Sequence, residues 1–389
     1  MSLMIETAER RALLATQHRL VGSRRTDDPA EIADSLVGLH SSDPASPFLS
    51  AAARMNQPSV SAVAAALYEE RRLVRHHAMR RTLWVMTPET ARLAHASTTV
   101  HLGGPQERRL AKLIEENGFA TDGALWIDAA KQALYEAICD AHTTTTRDLS
   151  EAFPDLVLTL RTGKVTTSAL PRVLLLLGLD GLIVRVKPTG TWISSQYQWT
   201  PSFEWITDGF GRADQHTAEV DLIRRYLLAF GPVTFADMQW WTGWTKTTTL
   251  RALDGAQAVE VDLLGGVGWI DRDAERWNGG SAPFVALLPG LDPTTMGWKE
   301  RDWYLDPEDA GLLFDRNGNA GPTVWVDGRI VGGWVQHPSG RIVFRLTDEA
   351  AGDRIPEIEA AADGLEDVYG DVRHKVRFPA PIQHQLLAD

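Results

Sequence analysis

The stretch LYEERRLVRHHAMRRTLWVM, residues 67–86, decides how this chain is interpreted. Five arginines and two histidines fall within the eleven residues 71–81, and no acidic residue interrupts them. Apolar residues at 73–74 and 83–85 flank the run, which is typical of two short strands joined by a turn. The stretch therefore predicts a basic β-hairpin that binds a phosphate backbone, although a solvated surface hairpin has the same pattern.

The chain as a whole has the opposite sign of charge. It carries 51 acidic and 39 basic residues, a net charge of −12 over 389 residues. This charge excludes a protein that coats DNA indiscriminately. It does not exclude a focused basic cleft, because salt screens exposed charges beyond about 8–10 Å. We expect the acidic stretch 348–371 to face away from nucleic acid.

Length and composition predict a globular protein of two or three domains. Hydrophobic residues make up 44% of the chain and charged residues 23%, as in ordinary globular proteins. No run approaches the ~18–20 apolar residues that span a bilayer, and the N-terminus lacks a signal-peptide pattern. We therefore expect a cytoplasmic, nucleoid-associated location. The single cysteine, Cys139, excludes an internal disulfide framework.

A unit of helices followed by a two-stranded hairpin recurs three times. The clearest copy spans residues 217–270, where a first helix ends at Gly231-Pro232 and Thr234 caps FADMQWWTG. Thr245 then precedes KTTTLRAL, and VEVDLLGGVGWI reads as a hairpin. This order is that of a winged helix, and it puts Lys246 at the start of the recognition helix. Winged helices also serve as protein–protein spacers, which is the alternative.

We predict an α+β fold of tandem winged-helix (helix-turn-helix) modules followed by a small antiparallel β-barrel domain. Alternating segments at 323–326, 329–335 and 341–346, joined by turn residues, indicate the strands of that domain, and 356–367 reads as a helix. The expected domains are winged helix 1 with the basic wing at 1–100, winged helix 2 at 101–205, winged helix 3 at 206–282, and the barrel-like domain with its C-terminal helix at 283–389.

The first candidate site is the segment GLHSSDPASPFLSAAAR, residues 38–54. His40, Ser42 and Asp43 lie between two predicted helices. A neighbouring aspartate and histidine can together orient and deprotonate a water molecule. The alternative is that Ser42 or Asp43 is only the N-cap of the following helix.

Two further segments are candidates for binding. The loop LLPGLDPTTMGWKERDWYL, residues 287–305, offers Trp298, Lys299 and Arg301, a combination suited to stacking on unpaired bases. Its alternative is a packed loop with buried tryptophans and a structural Asp–Arg pair. The segment 315–328 contains a tight turn, which we interpret as structural rather than phosphate-binding.

Motifs for common cofactors do not occur in the sequence. There is no Walker loop, dinucleotide fingerprint, HExxH or GxSxG, and the eleven histidines lack metal-ligand spacing. We expect no metal or nucleotide cofactor.

Five segments resemble the winged-helix DNA-binding-domain-containing family that includes the AlkZ/YcaQ-type DNA glycosylases. They are GLHSSDPASPFLSAAAR, RRLVRHHAMRRTLWVM, GPVTFADMQWWTGWTKTTTLRAL, LLPGLDPTTMGW and DRNGNAGPTVWVDGRIVGGW. The resemblance implies tandem winged helices and a β-barrel around a DNA channel. It also implies excision of alkylated purines, including crosslinked bases, without a metal.

The resemblance also locates the catalytic element, and this chain departs from it. A Gln-x-Gln or Gln-x-Asp motif of the family corresponds to His40-Ser41-Ser42 here. Serine is a poor substitute for a carboxylate in stabilising an oxocarbenium-like transition state. We therefore expect Asp43 to take this role with His40 as its hydrogen-bond partner, so that the candidate catalytic residues are His40, Ser42 and Asp43.

The sequence leaves two functions open. The first is a monomeric, monofunctional DNA glycosylase that excises alkylated purines from double-stranded DNA by water attack at the N-glycosidic bond. The alternative is a non-catalytic winged-helix DNA-binding protein with a regulatory or protective role. In both, the expected DNA contacts are Arg71, Arg72, Arg75, His76, His77, Arg80, Arg81, Lys246, Trp298, Lys299 and Arg301.

Overall fold

The structure is a computed structural model that describes residues 3–162, 165–274 and 282–388. In these residues the chain forms helices and mostly antiparallel sheets, which confirms the predicted α+β class. No helix in this part of the chain is long and apolar enough to cross a membrane.

The first module contains the basic hairpin. Its elements, with the helices that follow, are β1 (Leu3–Ile5), α1 (Thr7–Gln17), α2 (Pro29–Ser35), β2 (Leu39–His40), α3 (Ser46–Ala52), α4 (Val60–Tyr68), β3 (Val74–Ala78), β4 (Thr82–Met86), α5 (Pro88–Ala94) and α6 (Val100–Glu116). Strands β3 and β4 pair antiparallel across a turn at Met79–Arg81. The predicted hairpin is therefore confirmed.

The second module has the predicted order with one addition. Its elements are α7 (Gly123–Ala141), β5 (Thr144–Thr145), α8 (Thr146–Ala152), β6 (Thr159–Thr162), β7 (Val165–Ser168), α9 (Leu170–Leu179), β8 (Ile183–Pro188), β9 (Tyr197–Pro201) and α10 (Ser202–Trp205). The addition is the hairpin of β6 and β7, in which Thr166 and Thr167 of β7 pair with β6. β-Branched residues favour such a strand, and the helix begins at Leu170.

The third module follows the prediction closely. Its elements are α11 (Gln215–Phe230), α12 (Phe235–Thr242), α13 (Lys246–Ala256), β10 (Val259–Leu263) and β11 (Gly266–Ile270). Thr234 and Thr245 cap α12 and α13 with their side chains, as their positions indicated.

The C-terminal part forms a four-stranded antiparallel sheet in the order β12-β13-β14-β15. Its elements are β12 (Val285–Leu288), α14 (Pro293–Met296), α15 (Ala310–Leu313), β13 (Thr323–Val326), β14 (Arg329–Gln336), β15 (Ile342–Leu346), α16 (Ile355–Tyr369) and α17 (Pro381–Leu386). The three strands and the helix foreseen here are confirmed, and closure into a barrel stays a prediction. The turn at 315–319 is structural, because Asp315 accepts the N–H groups of Asn317 and Asn319.

Two sheets connect the modules. A six-stranded sheet, in the order β2-β4-β3-β8-β9-β5, contains the hairpins of both the first and the second module. The N-terminal β1 pairs in parallel with β10 of the third module. The domain boundaries stay predictions, but the modules share sheets and are not separate units.

Each module pairs a short strand or bridge, placed before α3, α8 or α12, with its last strand. The pairs are β2 with β4, β5 with β9, and an isolated bridge between Val233 and Trp269. His40 and Thr145 are the last residues of β2 and β5, and Thr234 directly follows the bridged Val233. These three residues therefore occupy equivalent places in the fold.

A buried ion pair ties the first module to the C-terminal part. Arg54 Nη1 and Nη2 donate to the two carboxylate oxygens of Asp292 at 2.9 and 2.8 Å, and both side chains are fully buried. Arg54 also donates to the carbonyl oxygens of Ser50 and His18. Burial alone would raise the pKa of Asp292, but the charge and hydrogen bonds of Arg54 outweigh burial and lower it.

We predict that Arg54→Met destabilises the protein strongly, because it leaves the Asp292 carboxylate buried without its cation. The free energy of unfolding should fall by about 3–5 kcal/mol in urea denaturation. Arg72→Met is the matched control. Arg72 forms a solvent-exposed ion pair with Asp28, and its loss should cost less than about 1 kcal/mol. Equal losses in the two variants would contradict the role of the buried pair.

Candidate active site

The site is built where modules two and three carry a helix cap. In those modules a capping box joins Thr145 to Asp148 and Thr234 to Asp237, so that each aspartate bonds its own helix start. The first module has the same spacing in His40 and Asp43, but α3 begins only at Ser46 and has no side-chain cap. Asp43 Oδ1 accepts the N–H of Ala45, the residue before α3, but no N–H of the helix itself. Residues 40–43 are the candidate site and are here called the active-site turn; their side chains do not cap α3.

His40 is a buried, neutral imidazole. His40 pairs with Trp84 between β2 and β4, and the centroids of the two rings are 5.0 Å apart. Burial, reinforced by the positive charge of Arg80, lowers the pKa of His40 to about 3. Its Nδ1 accepts the N–H of Ser42 at 3.4 Å, so the proton is on Nε2. Nε2 has no hydrogen-bond partner among the described residues.

The two serines of the turn have different roles. Ser41 is buried, and its hydroxyl accepts from Arg75 Nε at 2.9 Å. Ser42 is half-buried, and its hydroxyl accepts a long bond of 3.4 Å from the Leu83 N–H. Ser42 is the one residue of the turn whose side chain is partly open to solvent.

Asp43 is a buried carboxylate with three donors. It accepts from the N–H groups of Ala45 and Arg377, at 3.0 Å each, and from His374 Nε2 at 3.1 Å. Burial alone would raise its pKa, but the hydrogen bond and charge of His374, with the two N–H groups, lower it below the usual value. The expected bond between Asp43 and His40 is corrected, since the imidazole that donates to Asp43 is His374. Asp43 is also not the N-cap of α3.

Part of the predicted basic hairpin lies beside the turn. Arg80, at the hairpin tip, has a positive φ of 54° and stacks its guanidinium over the Trp240 ring at 3.8 Å. Arg301 approaches the same ring at 5.2 Å. Burial and the charge of Arg301 lower the pKa of Arg80 to about 10, so Arg80 stays protonated at neutral pH. Lys299 is exposed in the same loop as Arg301.

Three of the expected DNA contacts are buried, and the structure corrects them. Trp298 is 1% exposed and donates its indole N–H to the Phe230 carbonyl, so its ring cannot stack on a base. His76 is buried against His95, with 3.2 Å between Nε2 and Nδ1. Arg75 is 2% exposed and holds Ser41 in place instead of contacting DNA.

The remaining basic residues are placed differently from one another. His77 is half-buried and its Nδ1 lies 3.1 Å from Arg185 Nη1. Arg71 donates to the Glu204 carbonyl and stacks over Trp205, while Arg72 pairs with Asp28. Arg81 at the hairpin tip and Lys246 at the start of α13 are exposed.

Sequence reasoning missed three residues of the site: Trp240, His374 and Arg377. Trp240 lies in FADMQWWTG, residues 235–243, whose pattern predicts only a capped helix. His374 and Arg377 belong to VRHKVRF, residues 372–378, a second local reversal of charge sign that directly follows the acidic stretch. That reversal was a usable signal. No group of three or more His, Cys, Asp or Glu side chains in the described part of the chain could hold a metal ion.

We predict that His40 makes the protein sensitive to acid. The unfolded chain takes up a proton at this residue near pH 6.5, whereas the folded protein does so only near pH 3, so acid favours unfolding. The free energy of unfolding should therefore start to decrease below pH 6.5, and the decrease due to His40 should reach about 2 kcal/mol at pH 5. The free energy of unfolding is measured by urea denaturation at pH 7.5 and 5.0. Between these two pH values the His40→Gln variant should lose about 2 kcal/mol less of it than the wild type.

The control for this measurement is His101→Gln, which replaces an exposed histidine. This variant should lose as much stability on acidification as the wild type. A His40→Gln variant with the same loss as the wild type would show that His40 takes up its proton in the folded protein.

The comparisons with known proteins agree on one family. Residues 33–368 match the family model described as DNA glycosylase AlkZ-like. The fold is similar to the solved structure of Streptomyces sahachiroi DNA glycosylase AlkZ, with a TM-score of 0.72 and 19% sequence identity over 96% of this chain and 100% of that chain. No curated protein matches the sequence.

At 19% identity the structural likeness shows the shared fold, and the family match over most of the chain shows the kinship. Both agree with the resemblance drawn from the sequence motifs. The chain therefore belongs to the AlkZ-like DNA glycosylase family, a family of DNA-binding repair enzymes.

Proposed function

We propose that this protein excises alkylated purines from double-stranded DNA by water attack at the N-glycosidic bond, and that residues 40–43 form its active site. The observation that carries the proposal is the uncapped turn of the first module. It brings together a neutral imidazole with a free Nε2–H, a half-open hydroxyl and a buried carboxylate. At the equivalent place, the second module uses the same spacing only to cap a helix, whereas in the third module Asp237 caps α12 and also accepts the N–H groups of Lys299 and Glu300.

The electrostatics of the turn suit a cationic leaving group. A purine alkylated at N3 or N7 already carries a positive charge, so it leaves without being protonated and the site needs no general acid. His40 is not such an acid at neutral pH, because its pKa of about 3 keeps it neutral. In this proposal His40 donates a hydrogen bond through Nε2 to the bound nucleotide or to the attacking water.

Asp43 supplies a fixed negative charge and does not abstract a proton. Its two oxygens accept three hydrogen bonds, and its lowered pKa keeps it ionised. A preorganised anion in a buried site stabilises the positive charge that develops on the sugar in the transition state. Ser42, the partly open side chain of the turn, orients the water. The electron pair of the glycosidic bond leaves with the base, which becomes neutral, and the water that bonds to the sugar releases its proton to bulk solvent.

The surface beside the turn supports DNA binding. Arg80 and Arg301 both lie over the half-buried Trp240 ring, and Lys299 and Arg81 are exposed close to them in sequence. Guanidinium groups held over an aromatic ring attract phosphate, and their planar faces can themselves stack on an unpaired base. We propose that this group holds the opened duplex at the active-site turn, with the protein acting as a monomer.

The decisive experiment measures base release from a duplex that contains N7-methylguanine. We expect release by the wild type and a loss of about 10²–10³-fold in the single-turnover rate for Asp43→Asn, because a fixed transition-state charge is removed. His40→Ala should lose about tenfold, because it removes one neutral hydrogen bond. Ser42→Ala should lose about tenfold, the value of one neutral hydrogen bond.

The matched control is Asp148→Asn, the equivalent aspartate of the second module, which only caps α8. It should leave the rate unchanged, and circular dichroism should show that every variant is folded. Wild-type protein that binds the duplex but releases no base would favour the non-catalytic DNA-binding alternative. Unchanged rates in both Asp43→Asn and His40→Ala would remove the assignment of the turn.

A further inference from the structure

A second basic segment contacts the active-site turn, and its exposed charged side chains have no role in the function proposed above. This segment is VRHKVRF, residues 372–378, here called the basic strap. The backbone N–H of Arg377 donates to Asp43 Oδ2 at 3.0 Å, and Nε2 of His374 donates to Oδ1 at 3.1 Å. The strap is thus bonded directly to the carboxylate of the active-site turn.

The strap presents its positive charges to solvent. Exposure alternates along it, so that Arg373, Lys375 and Arg377 are exposed while Val376 between them is buried. Neither Lys375 nor Arg377 has an acidic partner within residues 3–162, 165–274 and 282–388. These charges are uncompensated in a chain whose net charge is −12.

Hydrogen bonds fix the strap in one conformation. Gln336 accepts the N–H of His374 at 2.8 Å through Oε1 and donates to the Val372 carbonyl at 3.1 Å through Nε2. The Arg373 guanidinium donates to three backbone carbonyls and to no carboxylate in the described residues. A basic surface that is already ordered binds an anion without a further entropic cost of ordering.

A cavity of about 510 Å³ lies between the strap, the end of β14 and α17. Its titratable side chains are cationic or imidazole groups: His337, Arg373, His374, Lys375 and His384. None of the residues that line it, all of which the structure describes, is an aspartate or a glutamate. Because His374 both lines this cavity and donates to Asp43, the cavity is one side chain away from the active-site turn.

We propose that the basic strap and this cavity bind phosphodiester groups of the DNA strand next to the nucleotide held at the active-site turn. The inference rests on the function proposed above and adds a second strand-binding element, contributed by the C-terminal part. Uncompensated cations on an ordered segment are what phosphate binding requires. A free small anion would occupy the cavity alone, whereas the exposed Arg377 next to it suits a polymer that continues past the cavity.

The test compares DNA binding by Lys375→Ala/Arg377→Ala with binding by the wild type, using a duplex with a central abasic-site analogue. The double variant keeps the backbone N–H of residue 377, so the bond to Asp43 is retained. The control is Lys112→Ala/Arg147→Ala, which removes two exposed charges that are each paired with a glutamate one turn along a helix. Each dissociation constant is measured between 50 and 200 mM salt, a range of about fourfold in ionic strength.

We expect the plot of the logarithm of the association constant against log salt to become less steep. The magnitude of its negative slope should decrease by about 0.9 for each lost phosphate contact, or about 1.8 in the double variant. The control and the charge-retaining Lys375→Arg/Arg377→Lys should keep the wild-type slope. An unchanged slope in a folded double variant overturns the proposal. A weakening that is the same at every salt concentration also overturns it, because it reports a structural defect.

Two further outcomes separate the possible ligands and functions. Calorimetry measures the binding of inorganic phosphate. If the wild type binds phosphate, the double variant does not, and the two have the same salt slope for DNA, the cavity binds a small anion and the strand assignment is overturned. The other outcome is a slope difference between the wild type and the double variant, with no base released from the methylated duplex by the wild type. That result removes the proposed glycosylase activity and leaves the strap assignment intact.

Discussion

The buried pair of Arg54 and Asp292 is the contact on which the position of the site depends. Arg54 directly follows the end of α3, a helix with every residue buried, and Asp292 lies in the loop before α14. At the other end of α3, Ser46 donates its hydroxyl to the Gly290 carbonyl at 2.6 Å. Because both ends of α3 are bonded to the same loop, the active-site turn just before it has a fixed place. A buried ion pair adds little net stability over apolar packing, but it strongly disfavours arrangements that leave either charge unpaired.

One position of the winged-helix unit serves two purposes in this chain. In the second and third modules the aspartate three residues after the capping threonine accepts the N–H group of that threonine at the start of a helix. Asp237 of the third module also accepts the N–H groups of Lys299 and Glu300 in the C-terminal part. In the first module the helix begins later, and Asp43 accepts from Ala45 and from the strap of the C-terminal part. The same residue spacing thus makes a cap where the helix starts at once, and in the first and third modules its aspartate also bonds the C-terminal part.

The charge of the molecule is sorted by the fold and not only by the sequence. Two basic segments, 71–81 and 372–378, are almost 300 residues apart in an acidic chain. Arg75 of the first donates to Ser41, and Arg377 of the second donates its backbone N–H to Asp43. Both segments therefore converge on the active-site turn. A focused positive region can attract DNA in spite of an unfavourable net charge, because exposed charges farther away are screened.

Periodicity and turn residues in the sequence determined the winged-helix order, the basic hairpin and three of the C-terminal strands, since these features depend on local backbone preference and on one buried face. The sequence also singled out the segment of His40, Ser42 and Asp43 as a candidate site, which stays a prediction. It did not determine which side chains face solvent: Trp298, His76 and Arg75 are buried, whereas Arg71, Arg72 and Arg81 of the same basic run as Arg75 are exposed. Nor did it show that His374 is the partner of Asp43, a contact across 331 residues. Burial and pairing of that kind arise from packing between distant elements, so only the tertiary structure decided them.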